Sequence, residues 1–153
     1  DAAAHAGEHG IEVQLPLLLR YAPQVRVAAI AMSGGTFGEL ERAAEALARL
    51  LESLEKPPLM VISSDMNHFA DDTENRRRDR IALRALQRND PRELLQLCAD
   101  ENISMCGQIP AALVLLTLKA MGRQAIYREI GYGTSGDITG DHSRVVGYAG
   151  LHF

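Results

Sequence analysis

Leu59–His68 reads LMVISSDMNH, an apolar run that turns within a few residues into a polar cluster. Val and Ile suit a pleated, buried strand, and the run is short enough to be one. Ser63, Ser64, Asp65, Asn67 and His68 then fall at its carboxyl end, where open α/β sheets gather their ligands. Asp65 and His68 stand three apart, a spacing at which a carboxylate in a turn orients an imidazole and favours its protonated form. The same residues also read as a strand leading into a helix cap, because Ser, Asp and Asn all cap helices well.

Outward from this stretch, strands and helices alternate. Val25–Met32 (VRVAAIAM) reads as a strand ended by Ser33-Gly34-Gly35. Phe37–Leu54 places Leu40, Ala43, Ala44, Leu47, Leu50 and Leu51 at helical spacing, and Pro57-Pro58 stops that helix. Downstream, Asp71-Asp72-Thr73-Glu74 is a helix start with acids facing the dipole, followed by a stripe of Ile81, Leu83 and Leu86. The four arginines within Arg76–Arg80 read as a charged helix surface or, alternatively, as a clamp for an anionic substrate. Asn89-Asp90-Pro91 breaks the chain before a helix over Arg92–Ala99 that buries Leu94, Leu95 and Leu97. A further helix spans Ile109–Met121, with Pro110 in its first turn and Gly122 at its end. Gln124–Tyr132 and Val145–Phe153 read as strands around a polar loop, Gly133–Ser143, rich in Gly, Ser and Asp. Near the start, Glu12–Tyr21 reads as a helix after an Ala-, His- and Gly-rich segment, Asp1–Gly10, expected to be mobile or to dock. The alternation predicts an α/β layer structure forming one domain over residues 1–153.

Bulk properties narrow the function. A chain of 153 residues, 46% hydrophobic and 24% charged, can bury one core. A net charge of −4 gives no basic surface for nucleic acid. Apolar runs such as Ala111–Leu118 are far shorter than a membrane span. No charged leader with an apolar segment is visible, and Cys98 and Cys106 form no CxxC motif, so a reducing, cytoplasmic setting is expected. Cys98 lies on an apolar helix face and reads as core. Cys106 falls just before a helix amino end, where the dipole favours a thiolate, although a buried structural cysteine fits as well. His9, in Glu8-His9-Gly10-Ile11-Glu12, reads as a ligand or substrate contact, or else as a cap or ion-pair partner.

Four blocks taken together carry a family resemblance. They are Glu8–Pro16 (EHGIEVQLP), Ile62–His68 (ISSDMNH), Cys106-Gly107 with Pro110, and Tyr132–Tyr148 (YGTSGDITGDHSRVVGY). In this order they resemble the MEMO family, called AmmeMemoRadiSam system protein B in prokaryotes, over essentially the whole chain. Gly10 is a departure, where the family commonly has Ser. The resemblance implies a three-layer α/β/α sandwich with a mixed central sheet, like the class III non-heme iron extradiol dioxygenases. It also implies a pocket for iron or copper made by two histidines and a cysteine. The cysteine matches Cys106, and an aspartate and a histidine beside the metal match Asp65 and His68. Glu8, His9 and Ser64 are further pocket candidates. The family's two ligand histidines sit in motifs of the HAGY and PSH kind, well before the EHxIE block. His5-Ala6-Gly7 is not the first of these, because it lies too close to Glu8 and no Tyr follows. The chain therefore reads as the carboxyl-terminal portion of such a protein, with roughly half the sheet and an incomplete metal site.

Three functions follow as expectations. The first is an Fe(II)- or copper-dependent, dioxygenase-related oxidoreductase in which Cys106 ligates the metal and His68, oriented by Asp65, acts as acid or base. The second is a non-enzymatic adaptor that recognises a peptide or protein; the resemblance implies a radical SAM protein as one partner. The third is a hydrolase with Cys106 as nucleophile, His68 as base and Asp65 as orienter. An uncovered sheet edge further predicts a homodimer or a bound partner.

Overall fold

The computed structural model describes residues 2–153, whose contacts form two compact units, Asp1–Gly34 and Gly35–Phe153. In the first unit a short helix α1 (Ala2–His5) lies within the Ala-, His- and Gly-rich segment. A single 3₁₀ turn, Glu12–Gln14, runs into α2 (Leu15–Tyr21). Pro16 sits in the first turn of α2, where its missing N–H removes no helical bond. The expected strand at Val25–Met32 does not form. Its composition is that of a strand, but a strand exists only through the ladder a neighbour offers, and the described residues of this unit contain no strand.

The second unit holds the remaining elements. Helix α3 (Phe37–Ser53) opens on a capping box: the Glu39 N–H donates to Thr36 Oγ1, and the Thr36 N–H donates to Glu39 Oε2. It buries Leu40, Ala44, Ala48 and Leu51, one face at helical spacing, and packs on the helix Gln108–Ala120. The expected central strand at Leu59–Ser64 is absent, and Leu59 stands 86% exposed. The chain joins the sheet only further on, where the Met66 N–H donates to Gly147 O and the Gly147 N–H to Asn67 O.

Strand β1 (His68–Ala70) follows. Helix α4 (Asp72–Gln87) is capped by Asp71, whose carboxylate accepts the Glu74 N–H. Asp90 caps α5 (Pro91–Asp100) through the Arg92 and Glu93 N–H groups, with Pro91 in the first turn. Helix α6 (Gln108–Ala120) is followed by β2 (Arg128–Thr134), a one-turn helix α7 (Gly136–Thr139) inside the expected loop, and β3 (Val145–His152). The strands form a three-stranded antiparallel sheet in the order β1-β3-β2. This is an α/β chain with a small antiparallel sheet. The expected mixture of parallel and antiparallel strands does not occur among the described residues, because the two segments that would supply it form no strand.

The core joins α4, α5 and α6 beneath the sheet through Leu83, Leu86, Leu94, Cys98, Met105 and Leu115. Cys98 is core, as expected, and burial pushes its thiol up to about 11. The arginines at the start of α4 are engaged at the surface. Arg76 pairs with Asp72 and Asp137, Arg77 with Glu74 and Glu101, Arg78 with Glu74, and Arg80 with Glu129. They form a charged helix surface rather than a clamp. Among the described residues no helix is long and apolar enough to cross a membrane.

Candidate functional site

Cys106 stands exposed one residue before Gly107, the N-cap of α6. Its Sγ accepts the Asp65 N–H at 3.1 Å and lies 3.6 Å from Ser64 Oγ. The Ser64 hydroxyl donates to Asp65 O at 2.6 Å and accepts the Gly107 N–H at 2.8 Å. Ser64 thus ties the segment before β1 to the start of α6. A Cβ on Gly107 would collide with Ser64 and stand 2.8 Å from Ser63 O. Glycine is what lets the two segments meet at the sulfur.

His68 completes the group. Its Nε2 lies 3.5 Å from Asp65 Oδ2, with both side chains partly open to solvent. Backbone bonds on either side hold the imidazole's position: the His68 N–H donates to Ser104 Oγ at 2.8 Å, and Asn67 is fixed from below. The Asn67 N–H donates to Asp79 Oδ1 at 2.7 Å, its Nδ2 to Asn75 Oδ1 at 2.7 Å, and its Oδ1 accepts the Ser104 N–H at 3.0 Å. Asp79, 0% exposed, also accepts the Tyr132 hydroxyl at 2.6 Å and Asn75 Nδ2 at 3.1 Å. Burial pushes the Asp79 carboxyl up, against the pull of these donors. Burial likewise raises the Tyr132 phenol, and its bond to Asp79 adds to the shift. Gly147 passes directly over Asp79, where any Cβ would strike the carboxylate. A polar network built on the buried Asn67, Asn75 and Asp79, and extended by the half-buried Tyr132 and the exposed Ser104, therefore stands behind His68.

Of the candidates named from sequence, Ser64, Asp65, His68 and Cys106 come together. Glu8 and His9 belong to the first unit and have local partners there. The Glu8 carboxylate accepts the Gly10 and Ile11 N–H groups at 2.6 and 2.9 Å, and His9 Nδ1 lies 3.1 Å from Glu12 Oε2 at the surface. For His9 the contact with Glu12 is the ion-pair role that the sequence left open. Among the described residues no group of three His, Cys, Asp or Glu side chains converges as a metal site would require. Cys106 contributes one sulfur, and the Sγ contacts go to Asp65 and Ser64 rather than to His68.

Asn75, Asp79, Ser104 and Tyr132 were not singled out from sequence. The signal was present for two of them. Asn75 and Asp79 lie four apart and continue the buried stripe of Leu83 and Leu86 on α4. The polar loop after β2 is fastened to the start of α4. Thr134 Oγ1 donates to Asp72 Oδ1 at 2.6 Å, Arg76 bridges Asp72 and Asp137, and the Asp72 N–H donates to His142 O at 3.0 Å.

In this α/β chain the candidate residues thus meet where the segment before β1 approaches the start of α6. The family is specific. The sequence profile of the Memo-like protein family matches residues 1–152, and the chain belongs to that family. It is 40% identical to a MEMO1 family protein of Aquifex aeolicus over 156 residues, covering all of this chain and 57% of that protein. A MEMO1 family protein of Methanopyrus kandleri is 33% identical over 154 residues, covering all of this chain and 54% of that protein. One from Thermotoga sp. (strain RQ2) is 36% identical over 149 residues, covering 97% of this chain and 51% of that protein. The chain spans about half the length of the curated relatives it matches.

Proposed function

We propose that Cys106, Asp65 and His68 form one wall of a ligand pocket in a dioxygenase-related oxidoreductase that uses iron or copper. The observation that carries this reading is the exposed Cys106 Sγ, held by the Asp65 N–H at 3.1 Å beside the Asp65–His68 pair. A non-heme iron or copper centre needs two or three protein ligands and open positions. The described residues offer one sulfur and do not make a complete centre by themselves, so the remaining ligands are assigned outside this chain. In the pocket Asp65 faces His68 Nε2 and orients the ring, and His68 exchanges a proton with a ligand at its other nitrogen, Nδ1. The finer architecture belongs to the same proposal: a three-layer sandwich with a mixed sheet would bury Leu59 and Val61, which lie exposed on a segment that forms no strand. A single domain, a cytoplasmic setting and a protein partner such as a radical SAM protein are parts of this reading too.

The test is anaerobic titration with Fe(II) and with Cu(I). It compares this chain, a version extended to the length of the relatives, and the C106A and H68A variants of each. The proposal expects tight binding by the extended protein, at least tenfold weaker after C106A, and little binding by this chain. Extended protein that binds neither metal overturns it and leaves the adaptor reading, in which ligand binding survives metal removal. The cysteine-hydrolase reading lacks a nucleophile–base contact between Cys106 and His68.

A further inference from the structure

Phe69 carries a φ of +63°, the left-handed region that a bulky side chain enters only under constraint. His68 pairs with Val146 and Ala70 with Val145, so Phe69 is the extra residue of a β-bulge. Burial does not explain the strain, because Phe69 stands 63% exposed. What the bulge does is re-aim the ring. It lies 5.6 Å from the His68 ring and beneath the Arg144 guanidinium, which stands 4.4 Å from its centroid. Arg144 is itself exposed just before β3, and its one described side-chain contact is this ring. A strained aromatic residue, a guanidinium with no carboxylate partner among the described residues and the site histidine thus adjoin one another.

We propose that Phe69 and Arg144 are specificity-determining residues of the pocket and select a flat ring that bears a carboxylate. The open part of the Phe69 ring stacks a flat group, and the guanidinium fork takes a carboxylate through two parallel bonds. Asp65 repels an anion at the His68 end, so the carboxylate lies toward Arg144 and the ring toward His68. The proposal rests on the reading of Asp65, His68 and Cys106 as a ligand pocket, and not on the metal.

The experiment is a titration of the metal-free chain with benzoate, followed by NMR, with benzamide and cyclohexanecarboxylate as controls. Benzoate is expected to shift the His68, Phe69 and Arg144 signals saturably and to bind about fivefold tighter than either control. R144Q, at an exposed position, removes the preference over benzamide, and F69L removes the preference over cyclohexanecarboxylate. F69G relieves the positive φ, so it raises Tm while weakening benzoate, a pairing that a purely structural role for Phe69 does not produce. Benzoate that fails to bind, binds no better than the controls, or keeps its preferences in R144Q and F69L overturns the proposal. Metal binding that fails while the benzoate preference stands removes the metal reading alone, and the converse removes this assignment alone.

Discussion

Gly107 and Asp79 show how single residues hold the site. At Gly107 a methyl group would be driven into Ser64 and toward Ser63 O, the contacts that bring Ser64 to Cys106. G107A is expected to cost about 2 kcal/mol, the usual scale of overpacking, and to change the alkylation rate of Cys106; urea denaturation and iodoacetamide kinetics measure both. Asp79 is a buried carboxylate satisfied by Asn67, Asn75 and Tyr132. Removing it in D79A leaves three donors without their acceptor and is expected to cost about 3 kcal/mol. Its folded carboxyl is raised above the ordinary 3.8. The folded state then binds the proton more tightly than the unfolded state, so this group's contribution is full below 3.8 and is lost as pH rises through the folded value. Relative to D79N, which has no such titration, the wild type is expected to lose stability as pH is raised above 3.8. A difference that stays constant across the pH series would show that Asp79 titrates alike in both states.

At the scale of elements, α4 has the sharpest pH signature. Glu74, in its first turn, accepts hydrogen bonds from Arg77 and Arg78, which hold its carboxyl down at about 2 instead of the ordinary 4.5. A lowered carboxyl contributes stability above 4.5 that is lost as pH falls toward 2. The wild-type Tm is therefore expected to fall more steeply than that of E74Q over this window, and parallel curves would contradict the assignment. Helices such as this one were legible in the sequence because their signals are local. Asp71, Asp90 and Pro91 mark starts that the structure keeps, and the stripe of Leu83 and Leu86 is buried as read. The strands at 25–32 and 59–64 were not, since a strand depends on a partner that its own residues do not specify. Part of the site was legible for a similarly local reason: Ser64, Asp65 and His68 lie close together in sequence and Cys106 stands just before a helix. Phe69 was hidden because a positive φ on a bulky residue follows from the bulge in β1, and a bulge is a property of two strands.

The molecule as a whole leaves apolar side chains uncovered beside its small sheet. Leu59 and Val61 lie exposed on a segment with strand-like sequence and no strand neighbour, the arrangement that invites edge-to-edge association. Self-association is accordingly expected to rise with concentration in sedimentation experiments and to weaken in an L59K/V61K double variant. A strictly monomeric profile at high concentration would count against it. The same unit carries Asp65, His68 and Cys106, proposed above as a pocket wall. The most direct test of that pocket is X-ray absorption at the copper or iron edge of the loaded, extended protein. Cys106 as a ligand predicts a metal–sulfur scattering shell that disappears in C106A and persists in S64A. A spectrum with only nitrogen and oxygen neighbours, or a sulfur shell that survives C106A, would contradict it.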